Sequence, residues 1–209
     1  MWGTYIDYWH YTGDTTYVKQ TTEAILYQAD APKNAFMPPN FTASLGNDDQ
    51  AFWGMAAMLA AEVKFPDPPQ GQASWLELAQ ATFNTQAAPD RHDSDCNGGL
   101  HWQVPSTNLG YNYKNTIANG CFFNLGARLA RYTGNKTYTD WAEKTWDWIH
   151  GVGYIDEEWN VFDGGYTETN CSVVAKAQFS TNVAVIIHGA AMMYNLVSTR
   201  AQTLWQAKI

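Results

Sequence analysis

Tyr132-Thr133-Gly134-Asn135-Lys136-Thr137-Tyr138 repeats, with two changes, an earlier stretch of the same chain, Tyr11-Thr12-Gly13-Asp14-Thr15-Thr16-Tyr17. In each copy a glycine ends a helical run, where it can take the left-handed conformation that closes a helix. A short polar turn follows, then a new helical run whose first large apolar residue is the second tyrosine. The reading is a helical hairpin used twice. Working outward from the second copy, Ile117, Cys121, Leu125 and Leu129 precede the turn at helical spacing. Trp141, Ala142, Thr145, Trp146 and Ile149 follow it as one apolar face.

The same two-helix unit is read over 48–86. Phe52, Met55, Ala56, Leu59 and Val63 mark one buried stripe, Phe65-Pro66-Asp67-Pro68-Pro69-Gln70-Gly71 the joint, and Trp75, Leu78, Ala79 and Phe83 the second helix. Another unit starts at Phe179 and runs through Val183, Ile187, Ala190 and Tyr194, its second helix cut short by the C-terminus. Strand signals are almost absent. Helical pairs that cannot bury their faces alone imply a closed or stacked α/α arrangement. Joints within pairs are short, whereas the connections between pairs, 31–46, 87–114 and 152–178, are long. Successive helices alternate direction, so the long loops gather at one end, where function is expected.

Gly46-Asn47-Asp48-Asp49-Gln50-Ala51-Phe52-Trp53-Gly54 follows directly from one of these loops. Asn47 and Gln50 have the spacing of a capping box, and acids in a first helical turn are favoured by the helix dipole, so the pair has a purely structural reading. Its placement favours a second one. Asp48 lies one turn before Phe52 and Asp49 one turn before Trp53, so both acids lean toward apolar surface, where charge is costly unless paired or used. Two close carboxylates repel, raising one pKa and leaving the other low. A retaining glycosidase needs that division, an ionised nucleophile and a protonated acid with carboxyls about 5 Å apart.

The loops bring more polar and aromatic groups to the same end. Trp102, Gln103, Tyr111, Tyr113, Lys114 and Asn115 come from the second, and Trp159, Asp163 and Tyr166 from the third. Asn115 is equally a cap for the helix running to Thr133. Asp163-Gly164-Gly165 reads equally as a tight turn, and Asp95-Cys96-Asn97-Gly98-Gly99 as a turn stapled by a disulfide.

A chain of 209 residues with 45% hydrophobic residues supports one substantial core and a single domain over 1–209. A net charge of -8 excludes nucleic acid and anionic membrane surfaces as partners and suits a neutral ligand. Ten tryptophans and twelve tyrosines supply rings suited to sugar faces. No apolar run is long enough to span a bilayer. Met1 opens no signal peptide, and the start reads as helix interior, as though cut from a longer chain. Asn40, Asn135 and Asn170 sit in glycosylation sequons, a pointer to secretion. Cys96, Cys121 and Cys171 suit one disulfide with an odd thiol, the pairing left open. The histidines show no ligand spacing, so no metal is expected, and no serine or cysteine nucleophile has an elbow or paired histidine.

Together, the Asp48-Asp49 stretch, Cys96-Asn97-Gly98-Gly99-Leu100-His101-Trp102-Gln103 and Tyr113-Lys114-Asn115-Thr116-Ile117-Ala118-Asn119-Gly120-Cys121 resemble glycoside hydrolase family 76. Within it they resemble the fungal cell-wall branch of mannan endo-1,6-alpha-mannosidases, and the likeness covers nearly the whole chain. It implies an all-α fold, an (α/α)6 barrel, incomplete here and truncated at both ends relative to the family. It also implies retaining cleavage or transfer at α-1,6-linked mannose by a monomer, with Asp48 as nucleophile, Asp49 as general acid/base and no cofactor. Gln50, Trp53, Trp102, Gln103, Tyr111, Lys114, Asn115 and Asp163 are the expected substrate contacts. The implied partner is α-1,6-mannan or another mannose-containing glycan, with wall glucan as a further acceptor. The implied location is secreted or cell-surface, glycolipid-anchored in the full-length protein. The chain departs from the family pattern at Asn97 and His101, where relatives carry glycine and arginine. Two other classes stay open: a noncatalytic glycan-binding module, and another α/α-toroid activity such as an unsaturated-glucuronide hydrolase or a sugar epimerase.

Overall fold

In a computed structural model the described residues are 1–196, and they form helical hairpins as the repeats require. The first pair is α1 (Trp2–Thr12) and α2 (Val18–Gln28), joined through Gly13 in the left-handed conformation. A four-residue helix, α3 (Pro39–Thr42), interrupts the next loop. α4 (Asn47–Val63) and α5 (Trp75–Gln86) form the second pair. α6 (Thr116–Thr133) and α7 (Lys136–Gly151) form the third, with Gly134 closing α6 at φ 70° and the Asn135 side chain capping α7 through the Thr137 N–H. α8 (Ser180–Leu196) follows, and the partner helix expected after it falls outside the described residues.

α1, α4, α6 and α8 pack side by side in that order, and α2, α5 and α7 each back one of them. The result is an arc of an α/α barrel with α6 at its centre, buried on nearly every side. One core lies among α1, α2, α4, α5 and α6 and a second between α6, α7 and α8. Close helix approach depends on glycine where helices cross. A Cβ on Gly54 would meet Thr82 of α5 at 2.7 Å, and one on Gly189 would meet Phe123 of α6 at 2.5 Å.

Three expectations change. The stripe Phe52, Met55, Ala56 and Leu59 does not enter the tight core. It lines a cleft of about 750 Å³ shared with Trp2 and Asp7 of α1 and with Arg128 and His188. α4 has neighbours on two sides, and its buried face is instead Gln50, Ala51, Gly54, Ala57 and Met58. Similarly α8 buries Val185, Ile186, Gly189, Ala190 and Met193 and leaves Ile187 exposed. There is also a small antiparallel sheet in the long loops, β1 (Tyr113–Asn115), β2 (Gly164–Tyr166) and β3 (Val174–Ala175), in that order. Strands of two or three residues are too short for alternation to register.

The disulfide joins Cys96 to Cys171 and so ties the second long loop to the third, while Cys121 is a buried free thiol. α4, α6 and α8 all begin at the long-loop end, because residues from their first turns wall one cleft there.

Candidate active site

The acid pair stands where it does because residue 46 is a glycine. Its backbone is extended (φ -85°, ψ 154°), so conformational freedom is not the reason. A Cβ on Gly46 would lie 2.4 Å from Asp48 Oδ1 and 3.0 Å from Asp49 Oδ2, so both carboxylates occupy space any side chain would fill. Gly46, not Asn47, is the N-cap. Its N–H donates to Asp49 Oδ2 at 3.0 Å. Asn47 instead cross-links loops: its Nδ2 donates to the His101 carbonyl at 2.9 Å and its Oδ1 accepts from Arg91 Nη1 at 2.8 Å.

The two acids do not share one environment. Asp48 is partly buried, whereas Asp49 is exposed. Asp48 Oδ2 accepts from Trp102 Nε1 at 3.2 Å, and its Oδ1 is buried without a hydrogen-bond partner. Burial, and after it the neighbouring Asp49 charge, raise the Asp48 pKa to about 6, against the lowering effect of the Trp102 N–H. The raised group is therefore the residue to which the resemblance gives the nucleophile's role.

Asp48 opens onto a cleft of about 400 Å³ walled by Phe52, Trp102, Tyr113, Asn115, Asp163 and Asn182, among others. Asp163 is held there by its backbone, its N–H donating to Ala175 O at 3.1 Å and its carbonyl accepting from Thr116 N at 2.7 Å. Its carboxylate accepts from Tyr113 OH at 2.8 Å and from Asn182 Nδ2 at 3.3 Å. Burial, then the bond to Asp163, push the Tyr113 phenol far above its ordinary range, in keeping with its role as donor to Asp163. Asn115 Oδ1 caps α6 through the Ala118 N–H at 3.2 Å, so its two readings coexist: cap and cleft wall.

The helical hairpins form an arc with an acid pair at the start of an inner helix, and Asp48 of that pair faces an aromatic cleft. The profile described as Glycosyl hydrolase family 76 matches residues 1–209. The chain belongs to glycosyl hydrolase family 76. The mannan endo-1,6-alpha-mannosidase DCW1 of Candida albicans is 49% identical over 93% of this chain and 43% of its own length. DCW1 of Saccharomyces cerevisiae is 45% identical over 99% of this chain and 45% of its own. The chain thus spans less than half the length of the curated relatives it matches. The crystal structure of Dfg5 from Chaetomium thermophilum, in complex with glucosamine, superposes with a TM-score of 0.94 at 60% identity, over 99% of this chain and 50% of that one. An alpha-1,6-mannanase from Salegentibacter sp. superposes at 0.73 with 18% identity, covering 97% of this chain and 54% of its own, a likeness of fold.

Of the expected family 76 contacts, the cleft gathers Asp48, Trp102, Asn115 and Asp163. It does not gather the others. Gln50 is wholly buried and donates to Ala35 O at 2.7 Å, because its position on α4 faces the interior. Trp53 stacks on Phe36 and lines the neighbouring cleft against α1. Gln103 accepts from Asn108 Nδ2 at 3.1 Å, and Tyr111 stacks flat on His101. Lys114 is fully buried, its ammonium donating to Asp93 Oδ1 at 2.6 Å and to the carbonyls of Asp95 and Gly98 at 2.9 Å each. All three protons are spent inside the protein. Sequence reading missed Asn182 and Asp93. The first was legible as a polar residue opening the α8 pattern at the loop end. The second carries no local signal, since its partners lie 8 and 21 residues away.

Proposed function

We propose that this chain carries the acid pair of a retaining glycosidase acting on α-1,6-linked mannose backbones. The observation that carries it is the pair itself: two carboxylates crowded around Gly46, Asp49 exposed and Asp48 desolvated in the wall of an aromatic cleft that also holds the carboxylate of Asp163. The names of the relatives, mannan endo-1,6-alpha-mannosidases, support the substrate.

In the first step Asp48 attacks the anomeric carbon and forms an ester as the glycosidic C–O bond breaks, and Asp49 gives its proton to the departing oxygen. In the second step Asp49 takes a proton from the acceptor hydroxyl, whose oxygen displaces Asp48 from the sugar. Water as acceptor gives hydrolysis; a wall-glucan hydroxyl gives transfer. Asp163, Tyr113 and Asn182 suit binding of sugar hydroxyls, and Trp102 and Phe52 suit packing against ring faces. The disulfide and the exposed sequon residues Asn40, Asn135 and Asn170 support an extracellular or cell-surface location.

One observation favours a second assignment within the same pair. A carboxyl with a pKa of about 6 holds its proton more readily than an ordinary one, as a general acid does, which would make Asp49 the nucleophile. The two assignments give opposite pH limbs. With Asp48 as nucleophile, activity on linear α-1,6-mannan falls as pH drops through about 6; with Asp48 as acid, it falls as pH rises through that value. Azide rescue separates them chemically. The Asp48→Ala protein supplied with azide should yield a mannosyl azide of inverted anomeric configuration, and Asp49→Ala one of retained configuration. Mass spectrometry of products formed from mannan plus a glucan acceptor reads hydrolysis against transfer. Binding of mannan without turnover in wild type would leave a glycan-binding module and remove the enzyme.

A further inference from the structure

His101 and Lys114 oppose each other across an antiparallel bridge and send their side chains to the same carboxylate, Asp93. Asp93 Oδ1 accepts from Lys114 Nζ at 2.6 Å and Oδ2 meets His101 Nε2 at 2.5 Å. Despite burial, which alone would raise it, these two partners hold the Asp93 carboxyl below the usual range, so it is an anion and an acceptor. The other ring nitrogen, Nδ1, lies 2.5 Å from the carbonyl oxygen of Tyr111, which can only accept. Both nitrogens of a buried imidazole thus face acceptors, and both contacts are hydrogen bonds only when the ring carries two protons. The Tyr111 ring covers it, 4.1 Å away and nearly parallel.

The clamp is one residue from the cleft. The His101 and Trp102 carbonyls accept from Asn47 Nδ2 and N, at 2.9 and 2.8 Å, and the Trp102 N–H donates to Tyr113 O at 2.7 Å. Trp102 then reaches Asp48 through Nε1. We infer that the His101 imidazolium, tied between Asp93 and the Tyr111 carbonyl, is a positioning group that holds Trp102 against Asp48. With one ring proton fewer, one of the two contacts becomes an acceptor–acceptor clash and the indole loosens from the acid. The charged and titratable groups around this ring are Asp93 and, beyond it, Asp95 from the second loop, Lys114 from β1, Tyr111, Arg91, and Asp48 across Trp102. For its consequence in turnover the inference rests on the proposed role of Asp48, but the contact itself is measurable without substrate.

The test follows the Trp102 indole N–H and the His101 ring nitrogens by proton–nitrogen NMR in the ligand-free chain at pH 5, the indole assigned with Trp102→Phe. Wild type should show a protected indole proton and a His101 ring protonated at both nitrogens. His101→Arg, which keeps a permanent cation with several donors, should keep the indole proton protected. His101→Gln, checked for folding by circular dichroism, should exchange that proton with solvent roughly tenfold faster. Equal exchange in wild type and His101→Gln, or nitrogen shifts showing a singly protonated His101 ring, would overturn the inference. Both outcomes are independent of whether the chain cleaves mannan.

Discussion

Trp102 donates its indole N–H to Asp48 Oδ2 across 3.2 Å, the only donor that meets this carboxylate from outside its own helix turn among the described contacts. A hydrogen bond to the charged form lowers a carboxyl's pKa, so Trp102 partly offsets the burial that raises it. Trp102→Phe keeps the ring face and removes the donor. The Asp48 pKa should rise further above about 6, read by carbon NMR of the side-chain carboxyl, and turnover of mannan should fall on the order of tenfold. An unchanged titration would show that the indole and the acid do not meet in solution.

Asp48 also sets a pH dependence of stability. Its folded pKa of about 6 lies above the ordinary 3.8, so the folded chain holds this proton when the unfolded chain has released it. Stability from this group is present at low pH and is lost as pH rises from 3.8 through about 6. Asp48→Asn should therefore stabilise the chain by about 2 kcal/mol at pH 7.5, with little effect at pH 3.5. Urea melts at the two pH values decide it; a difference of equal size at both would refute the linkage.

Lys114 should matter for folding rather than for sugar binding. Lys114→Met leaves Asp93 short of one cation and two carbonyls without their donor, at a cost of about 3–5 kcal/mol. Lys114→Arg should also destabilise, since the cavity is shaped for a point charge with three donors. The readout is the urea midpoint. A stable Lys114→Met protein that had lost only affinity for mannan would restore the substrate contact expected from the sequence.

Gly189→Ala tests whether the α6–α8 contact positions the cleft. The added methyl would meet Phe123 at 2.5 Å and the Asn124 backbone at 3.1 Å, so α8 must shift, costing about 1–3 kcal/mol. Because Asn182 rides on the same helix, its bond to Asp163 should weaken with it. Gly151→Ala, with open space around the added methyl, is the control and should melt like wild type.

Removing the disulfide by replacing Cys96 and Cys171 together with alanine should cost about 4.5 kcal/mol by the chain-entropy relation for a separation of 75 residues. Cys121 should stay silent to iodoacetamide in the folded chain, since burial, then the Asp48 charge, push its thiol well above the ordinary range. Labelling of Cys121 before the unfolding transition would show that the α6–α8 core opens locally.

Where sequence and structure part, the reason is the range of the interaction. Gly134 closing α6, Tyr138 opening the buried face of α7 and Trp75, Leu78 and Phe83 lining α5 were legible because each depends on residues within a turn or two. The stripe of α4 was misplaced because an inner helix has apolar residues on two faces, and periodicity does not say which face meets the tighter neighbour. Lys114, expected at the substrate, is turned inward by acceptors that lie far from it along the chain.

Local patterning alone determined the helical pairs, the end of the barrel where the loops collect, and the presence there of two adjacent acids, because helix spacing and turn chemistry are encoded over a few residues. Only the tertiary structure decided which acid is desolvated, that Trp102 touches it from 54 residues away, and that Asp163 and Asn182 share its cleft. Desolvation and the partners of buried polar groups are set by what the rest of the chain packs around them, and no local stretch of sequence contains that packing.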